Sequence, residues 1–232
     1  TAGNASDRIG TAHGTIRGTA TVSGGALNTT GAAGGLSGGI PQNCVSLPAS
    51  AVAGITNAFS IEVWYQCNPN GAWNTIYSFS ANNTANYVLA TPAAAYAPYP
   101  SRVAVKGGGG NTAEQLANQV FTTNGALHQM LVTCDGVKVT YYLDGVLPSF
   151  SGLQNSFSDP GLNLSSMTYI GIGGGARGTF QGGSITNLTL AGATLAGTNG
   201  VGGVFNWTGG HIAGALTVET NGVLNVSGST EK

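Results

Sequence analysis

Charge is what this chain has least of. Its 232 residues include only 7 lysines and arginines and 8 aspartates and glutamates, for a formal net charge of −1. Basic residues this few, scattered singly, cannot build a phosphate-neutralising stripe, so no nucleic-acid partner is expected. Solubility has to come from Ser, Thr, Asn and Gln. Long apolar runs are missing as well. None approaches the roughly 20 residues that span a bilayer, so no membrane insertion is expected. Cysteine is scarce too, at Cys44, Cys67 and Cys134. There is no Cys-x-x-Cys spacing and so no support for a zinc site. Two thiol states stay open: one disulfide with a free thiol, or three buried thiols acting as small core residues. Thr1 opens no secretory pattern, so the expectation is a mature form or an excised fragment.

Paired catalytic groups are also lacking. Glycosidic chemistry needs two carboxylates flanking the bond, one acid and one base or nucleophile. The Phe59–Cys67 run carries Glu62 alone, with Ser60 and Trp64 as its same-face neighbours. Asp7, Glu114, Asp135, Asp144, Asp159, Glu219 and Glu231 fall mostly in turns or the tail, and turn chemistry already uses Asp135 and Asp144. His13, His128 and His211 lie in separate elements, and no Gly-x-Ser-x-Gly elbow occurs. The run Lys106–Asn111 lacks the Gly-Lys-Ser/Thr of a phosphate loop and reads as a hairpin loop. The chain is therefore expected not to be an enzyme.

What is present is turn and strand. The chain holds 39 glycines. From Leu127 to Leu147 two apolar runs alternate at period two, with Asp135-Gly136 between them and Asp144-Gly145 after them. This is a hairpin pattern whose turn residues accept positive φ. His128, Met130, Val132 and Cys134 share one face, and Val137, Val139, Tyr141 and Leu143 share another. Similar alternation or short apolar runs predict strands at Gly14–Val22, Cys44–Leu47, Phe59–Cys67, Asn74–Phe79, Tyr87–Ala90 and Arg102–Lys106. Two more are expected at Met167–Ile172 and Ser184–Ala191. Only Asn111–Ala117 hints at a helical turn. Many short strands punctuated by Gly, Asn and Pro predict an all-β sandwich.

Four landmarks in order carry a resemblance. They are Phe59-Ser-Ile-Glu-Val-Trp64, His128 ahead of Asp135-Gly136 and Asp144-Gly145-Val146, Tyr169-Ile-Gly-Ile-Gly173, and Phe180-Gln-Gly-Gly-Ser-Ile185. Over roughly residues 5–197 the chain resembles the laminin-G-like jelly rolls of the concanavalin A-like superfamily. The resemblance implies a concanavalin A-like jelly-roll sandwich over 1–198 and a non-catalytic binding or adhesion role, extracellular or at a cell surface. In such relatives a glutamate like Glu62 recurs without catalysis, which implies a buried hydrogen-bonding role. Some relatives bind Ca²⁺ at a loop rim. Here Asp7, Asn82, Asn83 and Asp159 are the candidate oxygen donors. The closing strand reads Ile185-Thr-Asn-Leu188 where relatives carry two acids, and that removes charge a hard cation would want. No other cofactor is implied.

Carbohydrate is the ligand class this resemblance favours, with a host or cell-surface protein as the other. In the segment Tyr87–Arg102 the tyrosines Tyr96 and Tyr99 are held by Pro98 and Pro100, and proline-stiffened tyrosines lose little entropy on binding. Trp73, Tyr96, Tyr99, Arg102 and Arg177 are the candidate ligand contacts, with ordinary packing at the sandwich ends as their competing role.

From about Asn199 the grammar changes. Apolar triplets around Val204–Trp207, Leu216–Val218 and Leu224–Val226 are separated by Gly pairs and Asn-Gly corners. Residues 199–232 are similar to one rung of the Gly/Thr-rich β-helix stalks of bacterial surface proteins, with a C-terminal hairpin as the alternative. A lone rung cannot bury its own apolar face, so a longer parent protein is expected. Together these readings predict a carbohydrate-recognising module on a large bacterial surface or secreted protein. The alternative is a structural spacer that self-assembles through the β-helix region, and a glycoside hydrolase or lyase is a third reading.

Overall fold

The computed structural model describes residues 5–6, 11–29, 36–37, 40–41, 43–67, 74–81, 86–93, 100–107, 115–118, 122 and 125–147. It further describes 155–158, 161–175, 178–179, 183–191, 194–201, 204–207, 211–220 and 223–226. Two compact units result, Thr1–Thr189 and Leu190–Lys232.

The described residues hold no α-helix, only 3-10 turns at Ala49–Ala51 and Leu164–Ser166. The strands begin with β1 (Thr15–Ile16), β2 (Thr21–Ser23), β3 (Ala26–Thr29), β4 (Leu36–Ser37), β5 (Ile40–Pro41) and β6 (Val45–Leu47). Then come β7 (Ala58–Cys67), β8 (Tyr77–Ser80), β9 (Tyr87–Thr91), β10 (Arg102–Lys106) and β11 (Gln115–Asn118). After them run β12 (Leu127–Asp135), β13 (Lys138–Leu143), β14 (Ser156–Ser158) and β15 (Tyr169–Ile172). The short pair β16 (Gly174–Gly175) and β17 (Gly178–Thr179) precedes β18 (Gly183–Ala191). Two seven-stranded sheets form. Sheet 1 has the order β1-β6-β15-β8-β9-β10-β11, and sheet 2 has the order β14-β13-β12-β7-β18-β3-β2.

The alternation in the sequence decides which face each strand buries. Along β7 Phe59, Ile61, Val63, Tyr65 and Cys67 are buried, while Ser60, Glu62 and Trp64 are half-buried. Their register partners in β12 and β13 follow the same rule, burying Met130, Val132, Cys134, Val139, Tyr141 and Leu143. Sheet 1 contributes Tyr77, Phe79, Val88, Ala90, Val103 and Val105 to the core, all fully or almost fully buried. Polar atoms inside are tied across the core. Tyr65 and Thr122 share a hydroxyl contact of 2.7 Å, and Tyr141 meets Ser101 at 2.7 Å. Burial pushes the phenols of Tyr65, Tyr77 and Tyr141 well above the usual range, so all three stay neutral, although the Tyr77 hydroxyl is buried with no partner. Where the sheets close at one end only glycine fits. Gly173 has φ +77°, and a Cβ there would lie 3.0 Å from Leu27 Cδ2 and 3.1 Å from Thr29 Cγ2.

Several expectations need correction. Asn111–Ala117 hints at a helical turn in the sequence; residues 111–114 lie outside the described residues, and the rest belongs to the strand Gln115–Asn118, because the edge of β10 supplies ladder partners that outweigh a weak local preference. The expected Gly14–Val22 strand is split at Gly18, whose φ is +60°. There the Asn43 side chain accepts the Thr19 N–H at 2.9 Å in place of a ladder partner. Val137 does not share the core face of β13. It is 76% exposed in the turn, where its N–H donates to Asp135 Oδ1 at 2.8 Å. At Asp135-Gly136 only the glycine has positive φ, whereas Asp144 and Gly145 both do, as a type I′ turn requires. The three cysteines are free and buried.

The second unit is built differently. It contains β19 (Thr194–Val201), β20 (Val204–Trp207), β21 (His211–Val218) and β22 (Val223–Val226). β19 pairs with β21 in parallel from Thr194↔His211 to Val201↔Val218, and β20 pairs with β22 in parallel from Val204↔Val223 to Trp207↔Val226. A hairpin would pair sequence neighbours antiparallel, so the described pairing departs from that alternative.

Candidate functional site

The face of sheet 1 turned away from the core is the unusual surface of the molecule. In register across the sheet it presents Ser46, Gly171, Ser78, Leu89 and Ala104, with Leu116 at the last position. Beside this row lie Thr91 opposite Arg102, and Tyr169, Ser80, Tyr87 and Lys106. Such a face is polar by composition and should be wet in a sandwich with one solvated side. Instead it is covered. Ser78 is 1% exposed, Arg102 is 3% exposed, and Ser80, Thr91, Tyr87 and Leu89 are buried with them.

Most polar groups on this face have partners. Thr91 Oγ1 donates to the Ala93 carbonyl at 3.0 Å, Ser80 Oγ donates to the Tyr169 carbonyl at 3.4 Å, and Arg17 Nε donates to Ser46 Oγ at 3.0 Å. Ser78 Oγ has none, although it is buried. A buried hydroxyl without a partner costs about 1–3 kcal/mol unless something else satisfies it. In the register Ser78 stands between Gly171 and Leu89.

A second polar cluster lies on the outward face of sheet 2. Glu62 Oε1 accepts the Trp64 indole N–H at 3.2 Å and the Gln129 amide N–H at 2.5 Å. Gln129 stands opposite Trp64 in the β7–β12 register. At the end of the meander Asp144 is bonded through both oxygens. Oδ1 accepts the Gln129 backbone N–H at 2.8 Å, and Oδ2 lies 2.8 Å from His128 Nδ1. The His128 ring sits 6.0 Å from that of Tyr65. This cluster spends its carboxylates on holding strands and a turn together. Glu62 is half-buried rather than buried, but its hydrogen-bonding role is the one expected of it.

The thiols have no role as nucleophiles. Burial pushes Cys44 up to about 12 and Cys67 up to about 11, so neither holds thiolate at neutral pH. Among the described residues no group of three His, Cys, Asp or Glu side chains is placed to hold a metal ion. No described helix is long and apolar enough to cross a membrane.

Of the candidate ligand contacts, Arg102 is described, and it lies on the covered face of sheet 1 rather than on an exposed loop. Trp73, Tyr96, Tyr99 and Arg177 lie outside the described residues, as do the calcium candidates Asp7, Asn82, Asn83 and Asp159. Thr91 and Arg102 are register partners at the ends of β9 and β10, the two strands that the segment with Tyr96 and Tyr99 joins in sequence. Sequence reasoning missed Ser78 and Thr91, since serine and threonine in a strand read as solvent-facing. It also missed Gln129, whose role depends on a register that joins residues 67 apart.

A family model described as laminin G 3, concanavalin A-like lectin/glucanases superfamily, matches residues 37–198. The chain belongs to this family. Solved structures are similar at low identity. Domain 4 of AbnA, an extracellular GH43 arabinanase from Geobacillus stearothermophilus solved with arabinotriose, is 17% identical with a TM-score of 0.55. That match covers 81% of this chain and 86% of the other. The Ca²⁺-bound exoplasmic/lumenal domain of VIP36 is 11% identical with a TM-score of 0.51, covering 81% of this chain and 87% of the other. The CBM40 module of a Ruminococcus gnavus IT-sialidase is 12% identical with a TM-score of 0.45, covering 61% and 78%. A search of curated proteins finds no match. At these identities the likeness to the solved structures is one of fold.

Proposed function

We propose that the laminin-G sandwich is a non-catalytic carbohydrate-recognising module of a secreted or surface protein, with its site on the covered face of sheet 1. The observation that carries this reading is the buried polar row there, with Arg102 beside Thr91 and the unsatisfied hydroxyl of Ser78. Sugar hydroxyls both donate and accept, so a ligand that displaced the cover of this face could give Ser78 Oγ the partner it lacks beside Arg102. Tyr96, Tyr99, Trp73 and Arg177 remain the proposed stacking and polar contacts around it. One structure of similar fold, the AbnA domain, was solved with arabinotriose, which agrees with this ligand class. The bonding of Glu62 to Trp64 and Gln129 supports a non-catalytic role.

The test is a broad glycan and polysaccharide array, run with calcium and again with chelator, on the wild type and on Arg102→Lys. Binding that falls at least about tenfold in Arg102→Lys, with unfolding still cooperative, supports the site, because lysine cannot reproduce the guanidinium fork. Binding abolished by chelator brings in Asp7, Asn82, Asn83 and Asp159 as calcium ligands. Silence on every glycan defeats the reading.

A second reading concerns Leu190–Lys232. The chain passes from β19 through β20 and returns so that β21 lies parallel to β19 and β22 parallel to β20. That pairing favours two successive coils of a β-solenoid, which would make this unit a spacer or stalk segment.

A further inference from the structure

We propose that Tyr65 and Tyr141 are positioning residues for ligand recognition. From sheet 2 they hold the two ends of the β9–β10 connection, residues 92–101, which carries Tyr96 and Tyr99 in sequence. This rests on the reading above that those two tyrosines meet the glycan.

Both anchors stand on the core face of the opposite sheet, Tyr65 on β7 and Tyr141 on β13, and both are fully buried. Facing sheets lie about 10 Å apart, so a phenol on one can bring its hydroxyl to the other. At the end of the connection Ser101 directly precedes β10, and its Oγ shares a hydrogen bond of 2.7 Å with Tyr141 Oη. At the start Pro92 directly follows β9. Its carbonyl accepts the Thr122 hydroxyl at 3.1 Å, and Thr122 Oγ1 lies 2.7 Å from Tyr65 Oη. Threonine has one hydroxyl proton and Pro92 takes it, so Tyr65 donates to Thr122. Pro92, Ser101 and Thr122 are themselves buried, so water does not compete for these bonds.

Pairing of a phenol in this core is not automatic. Tyr77 is also fully buried, yet its hydroxyl has no partner. The two hydroxyls that do find partners reach the two ends of one connection. Aromatic contacts carried between fixed ends lose less freedom on binding than they would on a loose segment.

Tyr65→Phe, Tyr141→Phe and Tyr77→Phe each keep the ring and remove one hydroxyl. Hydrogen exchange followed by mass spectrometry should run about fivefold faster across residues 92–101 in the first two, the factor that one ordinary hydrogen bond represents. Tyr77→Phe should leave that segment at the wild-type rate. Loss of global stability alone would speed the slowest amides, those of core strands such as β7 and β12, and leave faster ones unchanged. Acceleration confined to those strands, or equal in Tyr77→Phe, overturns the anchoring and leaves carbohydrate recognition standing. On the glycan array both anchor variants should bind at least about threefold more weakly than Tyr77→Phe. Faster exchange with undiminished binding overturns the positioning role and moves the glycan away from Tyr96 and Tyr99. A wild type silent on the array overturns the ligand role together with the carbohydrate reading, and exchange alone then decides the anchoring.

Discussion

In sheet 2, residues along β7, β12 and β13 alternate between buried and half-exposed, whereas in sheet 1 the residues of β8, β9 and nearly all of β10 are buried on both faces. The two sheets have the same number of strands and share one core, so the core does not explain the contrast. The difference lies in the second face. Sheet 2 turns Glu62, Trp64 and Gln129 outward and satisfies them with one another. Sheet 1 hides serine, threonine and arginine. A fold that needed only stability would cover apolar groups and leave polar ones wet, because hiding polar groups costs free energy unless each finds a partner.

The largest expected effect tests whether that face is covered in solution. Leu89→Ala, on the covered face of sheet 1, should lose about 2–5 kcal/mol, as a core leucine does. Leu131→Ala, half-buried on the outward face of sheet 2, should lose less than about 1 kcal/mol. Urea denaturation of both variants gives the comparison directly. Equal losses would erase the contrast between the sheets.

Next in size is Ser78→Ala. Removing a buried hydroxyl that has no partner should raise stability by up to about 1 kcal/mol, while glycan binding falls if that hydroxyl meets a sugar. A loss of stability would mean that Ser78 is already satisfied and that the face is closed to ligand. Glu62→Gln should do less. Its side-chain oxygen can still accept from Trp64 and Gln129, so the change should stay near about 0.5 kcal/mol, with any glycan binding unaltered. Loss of a glycan-cleaving activity in this variant would instead revive the hydrolase reading.

Much of this architecture was legible in the residues. The alternation of Phe59–Cys67 and Leu127–Leu143 named the buried face of sheet 2 almost residue by residue, because a period of two with one wet side leaves a clear mark. The edge strands left little trace. β11 and β14 are short and take their structure from β10 and β13, as propensity alone would not. Arg102 was named as a ligand contact, but its burial could not be anticipated, since a lone arginine in a strand normally reaches water. Ser78 left no mark either, because whether a serine in a strand is wet or orphaned depends on what covers the sheet. His128 and Asp144 are 16 residues apart, and they meet because the Asp135-Gly136 turn folds β13 back onto β12 and sets Leu143 opposite Met130.

The smallest expected effect separates a turn from a core. Asp135 is fully exposed, and its carboxylate accepts the backbone N–H groups of Lys138 at 2.7 Å and Val137 at 2.8 Å. Those bonds hold its carboxyl below the usual 3.8. A group whose folded value is depressed contributes stability above its unfolded value and loses it as pH falls through the folded one. Asp135→Asn keeps an acceptor oxygen and removes the charge. Thermal unfolding should therefore place the variant slightly below the wild type near neutral pH. The gap should narrow as pH drops below 3.8 and vanish in strong acid. A gap of constant size across that range would mean that the charge contributes nothing and that turn geometry alone makes the hairpin.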